Sequence, residues 1–209
     1  IQELPPQVQV LTFGFEAGNQ FCAKNLTLDA EGSKFVMESP LGNTVVASPL
    51  IGRYNVSNVL ASFAIMHAMG KSVVESIHKL RSFKGVCGRM ESVDRGQPYR
   101  VVVDYAHTPD ALRNALEMLR ECTKGKVRVV FGCGGDRDRT KRPEMARIAA
   151  DMRNRVLLTS DNPRSEDPEA ILDEMEAGLN PVHKAKTLRI TDREQAIKAA
   201  CQLAQPHLA

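Results

Sequence analysis

Three polar stretches concentrate the groups that can do chemistry. Gly132-Cys133-Gly134-Gly135-Asp136-Arg137-Asp138-Arg139 follows a Val- and Phe-rich run and precedes a helix read as opening at Pro143. Glycines let backbone N–H groups come close to a ligand, and arginine offers a planar fork that matches carboxylate or phosphate. The stretch meets neither the GxxxxGK[ST] nor the GxGxxG pattern, so no standard phosphate loop is assigned. A solvated basic connector is the plain alternative, against which the interleaving of arginine with aspartate argues. Asp161-Asn162-Pro163-Arg164 sets a carboxylate, an amide and a guanidinium on a proline-stiffened turn. Such a set suits an amino acid: Asp161 for the ammonium, Asn162 to bridge, Arg164 for the carboxylate. Asn-Pro is also an ordinary turn former, and the two readings balance.

Asp104-Tyr105-Ala106-His107-Thr108-Pro109-Asp110 joins a strand to a helix with Pro109 in its first turn. Asp104 at a strand tip can accept hydrogen bonds from a ribose, and His107 adds an imidazole beside it. The alternative is that Thr108 or Asp110 caps the helix while His107 packs locally. Asn55 and Asn58 lie three apart at a helix start, on one face. They suit either a purine edge or a helix cap, and by themselves the cap is the simpler reading. His67, His78, His183 and His207 have no partner at ligand spacing, and the eight methionines are dispersed as core filler.

The elements that must hold these loops follow from periodicity. Gln20–Ala30, Lys34–Glu38 and Thr44–Ala47 alternate like strands of an antiparallel meander. Tyr54–Met69 and Ser72–Phe83 carry apolar residues at helical spacing. After a glycine-rich joint at residues 84–90 the rhythm changes. Met90–Val93 and Tyr99–Tyr105 read as strands across the turn Asp94-Arg95-Gly96-Gln97. Helix Pro109–Cys122, strand Lys126–Gly132, helix Pro143–Met152, strand Arg155–Thr159, helix Pro168–Gly178, strand Lys186–Ile190 and helix Asp192–Ala204 then alternate. That alternation predicts an α/β domain with a mainly parallel sheet. Ligands of such sheets bind beyond the carboxyl ends of the strands, where all three polar stretches fall.

With 209 residues, a chain of this size can bury about 70% of its open surface, ample for a stable core. The 28 basic and 25 acidic residues leave a net charge of +3, too mild to imply nucleic-acid binding, and only 5% of residues are aromatic, with no Trp. Membrane insertion is not expected either. Five cysteines without metal spacing read as thiols of a cytoplasmic protein. The opening IQELPPQVQV has no signal-peptide character and no initiator Met, which suggests a piece of a longer protein.

Taken in order, LIGRYNVSN at Leu50–Asn58, GRME at Gly88–Glu91, VVDYAHTPDAL at Val102–Leu112, GCGGDRDRTKRP at Gly132–Pro143 and DNPR at Asp161–Arg164 resemble the Mur ligases. Within that family they are most similar to the bacterial members that add meso-2,6-diaminopimelate during peptidoglycan synthesis. The resemblance runs from about Thr12 to Ala204. It implies that residues 1–87 are the C-terminal portion of the central ATP-binding domain, antiparallel strands plus helices. Residues 88–209 would be a truncated Rossmann-like amino-acid-binding domain. The implied reaction is ATP-dependent: a D-glutamate carboxylate of UDP-N-acetylmuramoyl-L-alanyl-D-glutamate becomes an acyl phosphate, which the diaminopimelate amine attacks. ATP and Mg²⁺ are the implied cofactors, and the implied setting is a monomer in the bacterial cytoplasm.

By the same resemblance Asn55 and Asn58 contact adenine, which reverses the capping preference. Arg89 contacts the nucleotide, Asp104 its ribose, and His107 lies near its phosphates. Arg137, Asp161, Asn162 and Arg164 form the diaminopimelate site; no catalytic side chain or metal ligand is assigned. The family's GTNGKT-type phosphate loop, carbamylated lysine and GKGHE-like motif are missing from these residues, so the chain alone is expected to be inactive. A lysine-adding Mur ligase, a folylpolyglutamate synthetase and a non-catalytic binding module are the competing readings.

Overall fold

The computed structural model describes residues 5, 7–29, 31–152 and 155–204. Ala30 at the end of the first expected strand, His207 and the terminal Gln205–Ala209 stretch lie outside them. The chain divides after Cys87 into two compact units.

In the first unit, β1 (Phe13–Gly14) pairs parallel with β2 (Phe21–Asp29), which continues antiparallel through β3 (Gly32–Ser39) and β4 (Gly42–Ser48). The strand period of two puts Phe35 and Met37 on one face, opposite Val46 and Ala23 respectively. Helix α1 (Arg53–Ala68) covers that face with Val56, Val59, Leu60 and Phe63. Helix α2 (Val73–Leu80) adds Val73 and Ile77, and its start is capped by Ser72, whose hydroxyl accepts from Glu75 N–H.

The second unit opens with an antiparallel ribbon, β5 (Glu91–Val93) with β6 (Val101–Val103), separate from the parallel sheet. Helix α3 (Pro109–Cys122) follows. Then come β7 (Arg128–Phe131), α4 (Lys141–Asp151), β8 (Arg155–Leu158), α5 (Pro168–Glu176), the short α6 (Pro181–Lys184), β9 (Thr187–Arg189) and α7 (Arg193–Gln202). Strands β7, β8 and β9 form a parallel sheet in that order, with β8 central. Val156, Leu157 and Leu158 of β8 are buried, the continuous apolar run that a strand covered on both faces requires. Ala146, Ala149 and Ala150 on α4 are fully buried in the same core with Leu112, Leu116, Leu172 and Met175.

Helix starts follow local chemistry. Thr108, Asp167, Asn180 and Asp192 each accept from a backbone N–H of the first turn, and Pro109, Pro168 and Pro181 occupy first-turn positions. Helix α4 departs from expectation: it begins at Lys141 rather than Pro143. A proline within the first turn costs no hydrogen bond, so Arg142 and Pro143 are both inside the helix. Among the described residues no helix is long and apolar enough to cross a membrane.

Close approach at the carboxyl end of β7 demands glycine. A Cβ at Gly132 would stand 2.2 Å from Thr159 O and 3.0 Å from Asp161 N. Gly132→Ala is therefore expected to lower stability by about 1–3 kcal/mol, read as a drop in the urea midpoint with an unchanged slope.

Candidate functional site

Beyond the carboxyl ends of β7 and β8 two loops lock into one body. Its centre is Arg142, whose side chain is fully buried although it carries a permanent charge. Glu166 receives it as a two-pronged pair, Nη1 to Oε2 at 2.9 Å and Nη2 to Oε1 at 2.8 Å. Glu174 of α5 accepts from Nη1 at 2.8 Å, and Gly134 O accepts from Nη2 at 3.2 Å. Charge-assisted pairing of this kind is what makes a buried guanidinium tolerable. Hydrogen bonding from Arg142 holds the Glu166 carboxyl down at about 2, and the same contacts raise Arg142 further. Arg139 shares Glu174 from the exposed side.

Around this pair the two loops are joined by their backbones. Gly135 N–H donates to Asn162 O at 2.9 Å, and Asp136 N–H to Glu166 Oε1 at 2.6 Å. Asp136 accepts from Ser165 N–H and hydroxyl, which lowers its carboxyl. A Cβ on Gly135 would lie 1.8 Å from Pro163 O, so glycine is required there too.

Arg164 lies on this platform in a left-handed conformation, φ 49°, with Nη1 donating to Gly135 O at 2.6 Å. Asn162 and Asp161 are exposed beside it, and among the described residues the one ion pair of Asp161 is a long one, 3.7 Å, to Arg193. Arg137 is exposed and, among the described residues, has no ion-pair partner. Cys133 beneath the loop is buried, and burial pushes its thiol up to about 11, so it is not a nucleophile at neutral pH.

A second cluster surrounds the end of β6. The Asp104 carboxylate accepts from Met90 N–H at 3.0 Å and Ala106 N–H at 2.9 Å, bringing the Arg89 turn beside it. Arg89, Tyr105 and His107 stand in a row: the guanidinium carbon lies 4.8 Å from the tyrosine centroid, and the imidazole meets the tyrosine edge-on at 4.9 Å. His107 Nδ1 lies 3.0 Å from Tyr105 O. Lys141 Nζ donates to His107 O at 3.0 Å, tying this cluster to the first turn of α4. Thr108, not Asp110, supplies the helix cap.

Asn55 and Asn58 lie in the first unit, on α1. Its N-cap is Gly52, φ 85°, with no side-chain cap, so neither asparagine is used for capping. Asn55 Nδ2 donates to Ile51 O at 2.9 Å, and Asn58 is exposed one turn on.

Arg142, Glu166, Glu174 and Lys141 were not distinguished by sequence reasoning. In sequence Arg142 is one cation of a basic loop; the usable signal was Pro143, which permits helix to begin before it. Among the described residues no three His, Cys, Asp or Glu side chains converge as metal ligands.

Two family descriptions match: the Mur ligase middle domain over residues 1–66 and the Mur ligase glutamate ligase domain over residues 88–208. The UDP-N-acetylmuramoyl-L-alanyl-D-glutamate--2,6-diaminopimelate ligase of Thermosynechococcus vestitus is 46% identical over 205 residues, 96% of this chain and 40% of that protein. The ligase of the same name from Bacillus velezensis is 46% identical over 188 residues, 90% of this chain and 38% of its own length. A solved structure of a ligase of that name superposes with a TM-score of 0.68 at 38% identity, covering 98% of this chain and 42% of the other. The chain thus spans about 40% of the length of these relatives.

Arg142→Met leaves Glu166 and Glu174 without their shared cation. Both carboxylates are partly exposed, so the expected loss is about 2–4 kcal/mol rather than the full cost of a broken buried pair, seen as a lower Tm. Because the folded Glu166 carboxyl sits at about 2 against an ordinary 4.5, its contribution is complete above about pH 4.5 and is lost as pH falls towards 2. Urea unfolding at about pH 5 and pH 3 is expected to show a smaller acid-induced loss in Glu166→Gln than in the wild type.

Proposed function

We propose that this chain, which belongs to the Mur ligase family, is part of an ATP-dependent ligase that joins meso-2,6-diaminopimelate to UDP-N-acetylmuramoyl-L-alanyl-D-glutamate. The whole protein performs this step of peptidoglycan precursor synthesis in the bacterial cytoplasm; these residues supply part of its nucleotide site and most of its amino-acid site. The observation that carries the reading is Arg164, half-engaged on Gly135 O beside exposed Asp161, Asn162 and Arg137.

Diaminopimelate differs from lysine by a carboxylate on its far carbon. The free part of the Arg164 fork gives that carboxylate a charge-assisted partner, whereas lysine would leave the guanidinium unmatched. Asp161 takes the neighbouring ammonium, Asn162 bridges the two, and Arg137 adds a second cation. These contacts hold the amino acid so that its other amine is presented to the acceptor carboxylate.

Each unit, taken by itself, offers residues that the resemblance assigns to the nucleotide. Asn55 retains its amide oxygen and Asn58 its whole amide for the adenine edge. Asp104, anchored by two backbone N–H groups, keeps free lone pairs for ribose hydroxyls. Arg89 lies against the nucleotide with its position set by Tyr105. His107, with Nδ1 3.0 Å from Tyr105 O, lies near the phosphates by the same resemblance. Bound ATP supplies the phosphoryl group that turns a poor electrophile into an acyl phosphate. Among the described residues no three His, Cys, Asp or Glu side chains converge, and the resemblance assigns Mg²⁺ no ligand in this chain.

The test is phosphate release from ATP by the full-length protein with the muramoyl-dipeptide nucleotide. Release with meso-diaminopimelate, and at least about a hundredfold less efficiently with L-lysine, is expected. Equal use of lysine would keep a ligase and discard the role of Arg164. Release with neither would favour a Mur-like binding module.

A further inference from the structure

The peptide group between Gly135 and Asp136 is held at both ends. Its carbonyl, Gly135 O, accepts from Arg164 Nη1 at 2.6 Å, and its N–H, on Asp136, donates to Glu166 Oε1 at 2.6 Å. Glu166 is gripped in turn by both terminal nitrogens of Arg142. The preceding peptide group is fixed directly, since Gly134 O accepts from Arg142 Nη2. Arg142 therefore controls both peptide planes that flank Gly135, one by its own hydrogen bond and one through Glu166.

Space around Arg164 is equally defined. A Cβ on Gly134 would stand 2.9 Å from Arg164 Nη1, so the guanidinium lies against bare backbone. Arg164 and Asp136, on opposite sides of the contact, are both non-glycine residues at positive φ, 49° and 50°. That conformation is costly for arginine and persists only where its surroundings over-determine it. Ser165, next to Arg164, is pinned to the Asp136 carboxylate by two hydrogen bonds.

We infer that Arg142 and Glu166 are a positioning pair that aims Arg164 through the Gly135–Asp136 peptide, and so sets selectivity for an amino acid with a second carboxylate. This deepens the reading of Arg164 proposed above and rests on it. Glu166 touches no substrate; it acts by keeping one peptide plane from turning. If that plane tilts, the acceptor for Arg164 moves with it, and the bidentate match to a carboxylate is lost while the charge remains.

The experiment uses the full-length protein and steady-state phosphate release, with meso-diaminopimelate varied at saturating ATP and nucleotide acceptor. Glu166→Gln cannot accept both Arg142 nitrogens as a carboxylate does. It is expected to raise KM for diaminopimelate on the order of tenfold, leave KM for ATP unchanged and reduce the preference over L-lysine. In an Arg164→Ala background the same change is expected to alter KM by less than about twofold, because the side chain it aims is gone. Arg142→Lys, which keeps charge but not the fork, is the second variant and should behave alike if Glu166→Gln does not fold. An equal KM effect with and without Arg164 would overturn the relay, as would a fall in kcat or Tm with KM and selectivity unmoved. A normal KM in Arg164→Ala would instead overturn the role of Arg164 itself, and the relay with it.

Discussion

A guanidinium taken entirely out of water must find hydrogen-bond partners inside the protein; the two terminal nitrogens of Arg142 find them in three separate segments, while its Nε has none among the described residues. Gly134 lies on the loop after β7, Glu166 on the loop before α5, and Glu174 within α5. Leaving any one of them unpaired costs more than the pair returns when complete, so the three segments must arrive together. The loops that could have been flexible connectors are thereby made into a single surface. Gly132 and Gly135 complete it, since any side chain there would collide with the neighbouring loop's backbone.

Rigidity matters because the groups displayed on that surface are few and exposed. Arg137, Asp161 and Asn162 have no burial to orient them, and Arg164 owes its direction to one carbonyl. A platform with fixed peptide planes converts these mobile side chains into a recognisable arrangement of charge. The cluster around Asp104 is built differently. Two backbone N–H groups and the Arg89–Tyr105–His107 row hold it near the surface, and Lys141 connects it to the same first turn of α4 that carries Arg142. One helix start thus braces both clusters of the second unit.

Much of this was legible from local chemistry. Thr108, one of two cap candidates beside Asp110, does cap its helix, and the helix expected from Pro168 starts there. The apolar run Val156–Leu158 predicts a strand covered on both sides, and β8 is the buried centre of the parallel sheet. The alternating Lys34–Glu38 run becomes the middle of an antiparallel meander. Met90–Val93 and Tyr99–Tyr105, read as strands across the Asp94-Arg95-Gly96-Gln97 turn, pair with each other antiparallel; less legible was that this ribbon stands apart from the parallel sheet.

Sequence alone determined most of the elements and the location of the polar loops at strand ends, because those depend on neighbours within a turn or two of chain. It also carried the family resemblance, through motifs that are contiguous. Only tertiary structure decided that Arg142 is the buried cation while Arg137 and Arg139, in the same run, remain exposed. Nothing in the order Asp-Arg-Asp-Arg-Thr-Lys-Arg-Pro separates them. The difference lies in Glu166 and Glu174, 24 and 32 residues away, and a charge is buried only where folding brings its partners.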